Sequence, residues 1–181
     1  MIDELKDVLE LATGATKLVK ELLDLKPNNK NCDDDELILA NKHNYAKIGS
    51  SGNYAKIGSS GDSAKIGSSG NYAQIGSSGD SAKIGSSGYY AKISSNGYYA
   101  QIGSSGDYAQ IKSSGELAVV SGIGLKTITK AKKGSWITLV EYKQNENNNW
   151  VVDFVKTEQV DGEKIKEDTF YTLYPHYRGV G

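Results

Sequence analysis

Alanine and isoleucine alternate with polar residues in a pattern that repeats every nine residues through the middle of the chain. Alanine recurs from Ala46 to Ala118 and isoleucine from Ile48 to Ile111. The repeated unit is Asn-Tyr-Ala-Lys-Ile-Gly-Ser-Ser-Gly, as in residues 53–61. Tyr-Ala-Lys-Ile alternates as a strand with one buried face does, and lysine is a poor candidate for the buried side. The pattern predicts short strands with alanine and isoleucine inside and tyrosine and lysine outside.

Two repeats are needed to close one coil. A nine-residue circuit at ~3.3 Å per residue leaves no interior, whereas eighteen residues give two opposed strands. The dipeptides Asp62-Ser63 and Asp80-Ser81 replace Asn-Tyr and lie eighteen residues apart, which supports the longer period. We predict a mainly β fold, with a thin β-solenoid over residues 44–124 and roughly four and a half coils stacked ~4.8 Å apart. Gly-Ser-Ser-Gly is expected to form the turns, because glycine can adopt positive φ.

Both ends of the array are predicted to be capped, because solenoid ends expose strand edges. Residues 1–26 have the apolar spacing of an amphipathic helix or a helical pair. The stripe suits packing over the array, and it also suits coiled-coil pairing with a second copy. Residues 27–43 are predicted to be a connector and part of the cap. The candidate oligomerisation residues on the stripe are Leu5, Val8, Val19 and Leu22.

Residues 125–181 are predicted to form a small antiparallel β-domain at the other end. Turn signals separate four strand-like segments, at 126–131, 136–142, 150–159 and 169–174. We expect this domain to have its own core, built from bulky residues that the repeats lack: Trp136, Trp150, Phe154 and Phe170.

Composition narrows the range of functions. The 181 residues carry a net charge of −1, which gives no general attraction to nucleic acid or anionic lipid. The N-terminus is acidic where a signal peptide is basic, and no stretch approaches the ~20 apolar residues of a membrane span. Cys32 is the single cysteine, so no internal disulfide can form. We expect an intracellular protein that does not associate with membranes.

Few groups are available for catalysis or metal binding. The only histidines are His43 and His176, and aspartates at 33–35 disfavour a Cys32 thiolate. Those aspartates lack the spaced ligands of a calcium loop, and we interpret them as a solvated loop. We therefore expect no enzymatic activity, no metal and no cofactor. A catalytic alternative would have to use Asp161, Glu163, Glu167, Asp168 and His176.

The candidate functional surface is a column of tyrosines in the eighteen-residue register, beside a column in which lysine alternates with glutamine. The column can be purely structural, covering a thin sheet while the alternation limits charge repulsion. It can also be a rigid contact face for a protein, since tyrosine offers contact area at low entropic cost. Nucleic acid is disfavoured, because residues 45–115 hold six lysines, three aspartates and no arginine. The candidate partner-binding residues are Tyr54, Tyr72, Tyr90, Tyr108, Lys56 and Lys92.

The repeats and the tail resemble a known group of proteins. The repeat at 53–61, Gly-Ser-Trp-Ile-Thr-Leu-Val-Glu-Tyr at 134–142 and Val-Asp-Gly-Glu-Lys-Ile-Lys at 160–166 carry the resemblance. It is to uncharacterised proteins encoded by phages and prophages of gut bacteria, in which glycine- and serine-rich nonapeptide arrays precede a similar β tail. The helical N-terminus departs from that pattern, in which a different globular segment usually comes first. The resemblance implies an origin in a mobile element and carries over no catalytic residues.

These observations predict a non-enzymatic phage or prophage protein that binds a host or phage protein in the host cytoplasm. Occlusion of a host defence effector, such as a CRISPR nuclease, is one such role. The alternative is a structural or virion-associated spacer that oligomerises through its N-terminal helix.

Overall fold

The computed structural model describes residues 38–173, which form a parallel β-solenoid followed by an antiparallel hairpin. The predicted helix over residues 1–26, with its oligomerisation stripe, lies outside the described residues. Within residues 38–173, no helix has the length and apolar character needed to span a bilayer. The strands are β1 (Ile38–Asn41), β2 (Lys47–Ser50), β3 (Lys56–Ser59), β4 (Lys65–Ser68), β5 (Gln74–Ser77), β6 (Lys83–Ser86), β7 (Lys92–Ser95), β8 (Gln101–Ser104), β9 (Gln110–Ser113), β10 (Val119–Gly122), β11 (Ile128–Lys130), β12 (Trp136–Gln144) and β13 (Trp150–Gln159).

The pairing register confirms the coil of two nonapeptides. Ile57 pairs in parallel with Ile75, eighteen residues further on, and the same offset links each strand from β1 to β9 with the strand two places later. The odd-numbered strands from β1 to β11 form one sheet, which we call sheet A. The even-numbered strands form sheet B, and β13 is added at its edge beside β12.

The predicted alternation of buried and exposed positions is also confirmed. The repeat alanines from Ala55 to Ala118 are fully buried, and the repeat isoleucines are at most 3% exposed from Ile57 to Ile111. Burial of an isoleucine side chain contributes about 1.5–3 kcal/mol. The narrow core is therefore a stack of aliphatic side chains with one buried serine in each strand from β3 to β9, held between two continuous main-chain hydrogen-bond ladders.

The solenoid is longer than predicted. Strands β1 to β12, at two per coil, make six coils instead of four and a half. Part of the predicted connector is β1, in which Leu39 lies beside Ile57 and takes the isoleucine position. At the other end, β12 pairs in parallel with β10 and so extends sheet B. β1 was not predicted, and β11 and β12 were predicted as strands of a separate antiparallel domain, because their sequences depart from the repeat. The residues in register with the repeat isoleucine are Leu39 in β1, Thr129 in β11 and Ile137 in β12.

The C-terminal residues do not form the expected aromatic core. Trp136, Trp150, Phe154 and Phe170 are 46%, 49%, 51% and 41% exposed, respectively. In β12 the inward positions are taken by Ile137 and Leu139, so Trp136 falls on the outer face. β12 and β13 are antiparallel, as predicted, and a bulge lies at Glu141/Tyr142. The predicted strand at 169–174 is described as far as residue 173, and over 169–173 it makes only a bridge between Thr129 and Tyr171.

Candidate functional site

The chain turns between sheets at a three-residue corner that differs from the predicted Gly-Ser-Ser-Gly turn. The first Gly-Ser belongs to the strand, and that serine is buried, as Ser59 is in β3. The corner that follows consists of Gly61, Asp62 and Ser63. The residue with positive φ is the one after the polar residue, such as Ser63 at 56° or Tyr72 at 58°, and not the glycine.

The corner glycine is required for close approach between coils. A Cβ atom on Gly79 would lie 2.9 Å from the backbone nitrogen of Asp62 and would overlap the carbonyl oxygen of Gly61 in the preceding coil. Every corner glycine from Gly61 to Gly124 has a similar main-chain neighbour. The glycines therefore set the spacing of the coils, and the expectation that they supply positive φ was wrong.

The polar residue of each corner joins one coil to the next. The Asn53 side-chain oxygen accepts a hydrogen bond from the backbone N–H of Asn71 at 2.9 Å. In return, the Tyr54 N–H donates to the Asn71 carbonyl at 2.8 Å, because positive φ directs that N–H along the rod axis. Asp62 and Asp107 accept equivalent bonds. Sequence reasoning assigned the turn to Gly-Ser-Ser-Gly and missed this ladder, although asparagine or aspartate stands at this position in six of the nine repeats.

The predicted tyrosine ladder is present at the corner that leads into sheet A. Successive ring centroids from Tyr54 through Tyr72 and Tyr90 to Tyr108 are 5.0, 5.2 and 4.9 Å apart. The corresponding interplanar angles are 7°, 3° and 14°. The Lys126 ammonium lies 5.5 Å from the centroid of Tyr108 and covers the last ring. Stacked pairs of this kind contribute about 0.5–1.5 kcal/mol each beyond the area they bury.

Tyr89 broadens this ladder. It replaces the corner asparagine, and its ring lies 6.1 Å from Tyr90 and 6.2 Å from Tyr108 in tilted contacts. Its hydroxyl donates to the Asp107 carboxylate, and that hydrogen bond raises the pKa of Tyr89. Sequence reasoning did not single out Tyr89. We call the five residues together the tyrosine ridge: Tyr54, Tyr72, Tyr89, Tyr90 and Tyr108.

The ridge offers ring edges more than ring faces. Because the rings of the ladder stack, each covers the faces of its neighbours, yet Tyr54, Tyr72 and Tyr90 remain 48%, 44% and 42% exposed. A nucleobase needs an open aromatic face on which to stack. The stacked rings between Tyr54 and Tyr108 provide none, so the geometry favours contact with side chains of a protein.

The predicted basic neighbours of the ridge lie on sheet A. Lys56 and Lys92 are exposed and occupy one column, with Gln74 between them in direct register. The alternation separates the two ammonium groups by two coils, ~9.6 Å. The structure therefore brings all six predicted partner-binding residues onto one side of the solenoid.

The opposite corner gives an internal comparison. Its residues with positive φ are Tyr45, Ser63, Ser81, Tyr99 and Leu117. Two serines interrupt the row, so the tyrosines there form no continuous stack. The same backbone thus carries a ridge at one corner only.

The residues of the catalytic alternative have structural partners. Asp161 accepts hydrogen bonds from the backbone N–H groups of Ile165 and Glu163, which lower its pKa. Lys132 donates to Asp168 at 2.6 Å and lies 3.6 Å from Glu167, and this contact lowers the pKa of Asp168. His176 lies outside residues 38–173. In that range, no group of three or more histidine, cysteine, aspartate or glutamate residues could hold a metal ion.

The fold and the ridge define a class of protein: a two-sided parallel β-solenoid with an aromatic corner. The chain matches no protein-family model, no curated protein and no solved structure.

Proposed function

We propose that this chain is a non-catalytic protein-binding module that contacts its partner through the tyrosine ridge. The observation that carries the proposal is the continuous stack of half-exposed rings on a corner fixed by hydrogen bonds between coils. Tyrosine is enriched at interface hot spots, where single residues contribute more than about 1 kcal/mol.

Preorganisation strengthens the proposal. Ordering a flexible side chain on binding costs about 0.5–1.5 kcal/mol. The rings of Tyr72 and Tyr90 are each stacked on both sides before any partner arrives. A partner that packs against them therefore loses little affinity to side-chain ordering.

The partner class rests on the resemblance to phage and prophage proteins. We propose that the partner is a host protein, and that a defence effector such as a CRISPR nuclease is inhibited by occlusion in the host cytoplasm. A module without catalytic machinery acts on such a target by covering its surface. The direct assay is target cleavage by the nuclease with and without this protein.

The ridge can be tested with substitutions that the fold itself supplies. Ser63 and Ser81 occupy the tyrosine position at the other corner with the same positive φ. The double variant Tyr72→Ser and Tyr90→Ser should therefore fold. In affinity capture from host lysate, we expect the wild type to retain a stoichiometric partner and the double variant to lose it.

The matched control is Tyr45→Ser with Tyr99→Ser, which removes two tyrosines from the other corner. This variant should retain the partner. Equal retention by both double variants, or no stoichiometric partner for the wild type, would refute the proposal.

A structural spacer is the second candidate. It is favoured by the parallel ladders, which run without interruption through sheets A and B and make the solenoid stiff along its axis. This role requires oligomers, for which the predicted stripe of Leu5, Val8, Val19 and Leu22 would serve. Two results together would eliminate the spacer role: the purified chain sediments as a monomer, and mass spectrometry does not find it in purified virions.

A further inference from the structure

The outer faces of the two sheets differ although the same repeat builds both. On sheet A, lysine alternates with glutamine. On sheet B, Lys47, Lys65 and Lys83 are direct neighbours on successive strands. Like charges opposite one another destabilise a sheet. Since glutamine is accepted at the equivalent positions of sheet A, the fold does not require this row of lysines.

The three lysines have no counter-charge within residues 38–173. None of them lies within 4.0 Å of a carboxylate there. The aspartates at the adjoining corner, Asp62 and Asp80, each accept a backbone N–H of the next coil instead. No carboxylate of residues 38–173 therefore neutralises the lysine row, and its charge suits an anionic partner.

A groove runs beside the lysines along the solenoid axis. Its floor is the main chain at glycines whose added Cβ atoms would meet nothing within 4 Å: Gly49, Gly67, Gly85 and Gly103. Its volume is about 830 Å³. On sheet A the equivalent groove is smaller, about 520 Å³, and the side chains of Ser94, Lys112 and Phe170 line it. Of these two grooves, only the one on sheet B is thus bordered by lysine on three successive strands, and its floor is glycine on four strands.

The same column becomes apolar toward the C-terminal end. Gln101 follows the lysines, and then Val119 and Trp136 lie in direct register, 51% and 46% exposed. From Lys47 to Trp136 there are five strand steps, which span ~24 Å. An extended peptide of about seven residues covers that length.

We propose that the outer face of sheet B binds an extended acidic peptide segment of a partner protein. The segment lies along the groove, with carboxylates at the lysine row and an apolar side chain against Val119 and Trp136. Nucleic acid is the less favoured polyanion. The row holds three lysines, and no described residue is an arginine, which makes a weak basic field for a nucleic-acid site. This surface is separate from the tyrosine ridge and does not depend on it.

The test uses defined probes on the full chain. A fluorescein-labelled ten-residue peptide with glutamate at alternate positions and two leucines at one end is titrated by fluorescence anisotropy. Two such peptides are made, one with the leucines at the N-terminal end and one with them at the C-terminal end. A peptide with glutamine in place of every glutamate and a dT20 oligonucleotide serve as comparisons. We expect one glutamate peptide to bind, weakening as salt is raised, and the glutamine peptide to bind at least tenfold more weakly.

Matched variants locate the site. Lys65→Gln with Lys83→Gln should weaken peptide binding about tenfold, whereas Lys56→Gln with Lys92→Gln removes the same charge from sheet A and should change it less than twofold. Gly67→Val fills the groove where a side chain meets no neighbour, and it should abolish binding while the circular dichroism spectrum is unchanged.

The proposal is overturned if neither glutamate peptide binds, if both lysine pairs give equal losses, or if dT20 binds more tightly than the peptides. Retention of peptide binding by Tyr72→Ser with Tyr90→Ser supports it by separating this surface from the ridge. Loss of peptide binding in that variant would contradict it.

Discussion

The corner glycines provide the sharpest test of how the coils are spaced. Gly79→Ala places a Cβ atom against the main chain of the preceding coil, 2.9 Å from the Asp62 nitrogen and overlapping the Gly61 carbonyl. Neither partner can rotate away, because both are backbone atoms held in the ladder. The two coils must therefore separate locally for the variant to fold.

The cost follows from the bonds that hold those coils together at this corner. Four of them lie close to Gly79, with donor–acceptor distances of 2.7–2.9 Å. Their donors are the backbone N–H groups of Ser63, Ser78, Asp80 and Lys83. Each such bond contributes about 1 kcal/mol net, so we expect a loss of about 2–4 kcal/mol in the free energy of unfolding.

Gly85→Ala is the matched control. It makes the same chemical change one strand away, on the outer face, where the new Cβ would meet nothing within 4 Å. Because Gly85 does not have a positive φ, alanine restricts the unfolded chain and should stabilise the protein by about 0.4–1 kcal/mol. Urea unfolding monitored by circular dichroism measures both variants. Equal midpoints for Gly79→Ala and Gly85→Ala would refute the argument that glycine sets the coil spacing.

Three further results are expected. Asn71→Ala removes the side-chain acceptor for the next coil, 2.9 Å away, and should lower unfolding free energy by about 1 kcal/mol, whereas Asn71→Asp should be neutral in the same urea assay. Acid should loosen residues 160–173 first. The folded-state pKa values of Asp161 and Asp168 are lowered from 3.8, so their contribution is complete above that pH and is lost as the pH falls through the folded values; faster hydrogen exchange confined to this segment below pH 3.8 would show it. Lys65→Gln should raise unfolding free energy by a few tenths of a kcal/mol at low salt, an advantage that 1 M salt removes.

The sequence was sufficient to predict the coil and the ladder because both follow from periodicity. Alternation sorts buried from exposed positions, and the paired Asp-Ser substitutions set the eighteen-residue period. A parallel stack in register then places Tyr54 next to Tyr72 without any further information. The same logic, extended backwards from Ile57, would have found Leu39 and the first strand.

The conformation of the corners could not be predicted from periodicity, because the presence of glycine does not show which of two roles it has. Glycine tolerates positive φ, and it also allows two main chains to approach closely. At Gly79 it is the close approach of two main chains that requires glycine. The residue with positive φ at this corner is Ser81, which follows Asp80. The sequence also did not predict that Trp136 is exposed. That depends on whether Trp136 or the adjacent Ile137 points into the core, and both are apolar.

Tyrosine occupies a corner position with positive φ, which its backbone does not favour. The presence of tyrosine there is therefore explained by what its side chain contributes. A left-handed conformation costs a residue with a Cβ roughly 1–2 kcal/mol, and asparagine tolerates it better. At Tyr72, two stacked neighbours return about 1–3 kcal/mol. At Tyr99, the only ring contact among residues 38–173 is a tilted one to Tyr98 at 6.5 Å. Tyr99→Asn should therefore raise the melting temperature and Tyr72→Asn should lower it. If both substitutions stabilise the protein, the stack contributes less than the strain it offsets, and binding becomes the remaining reason for the ridge.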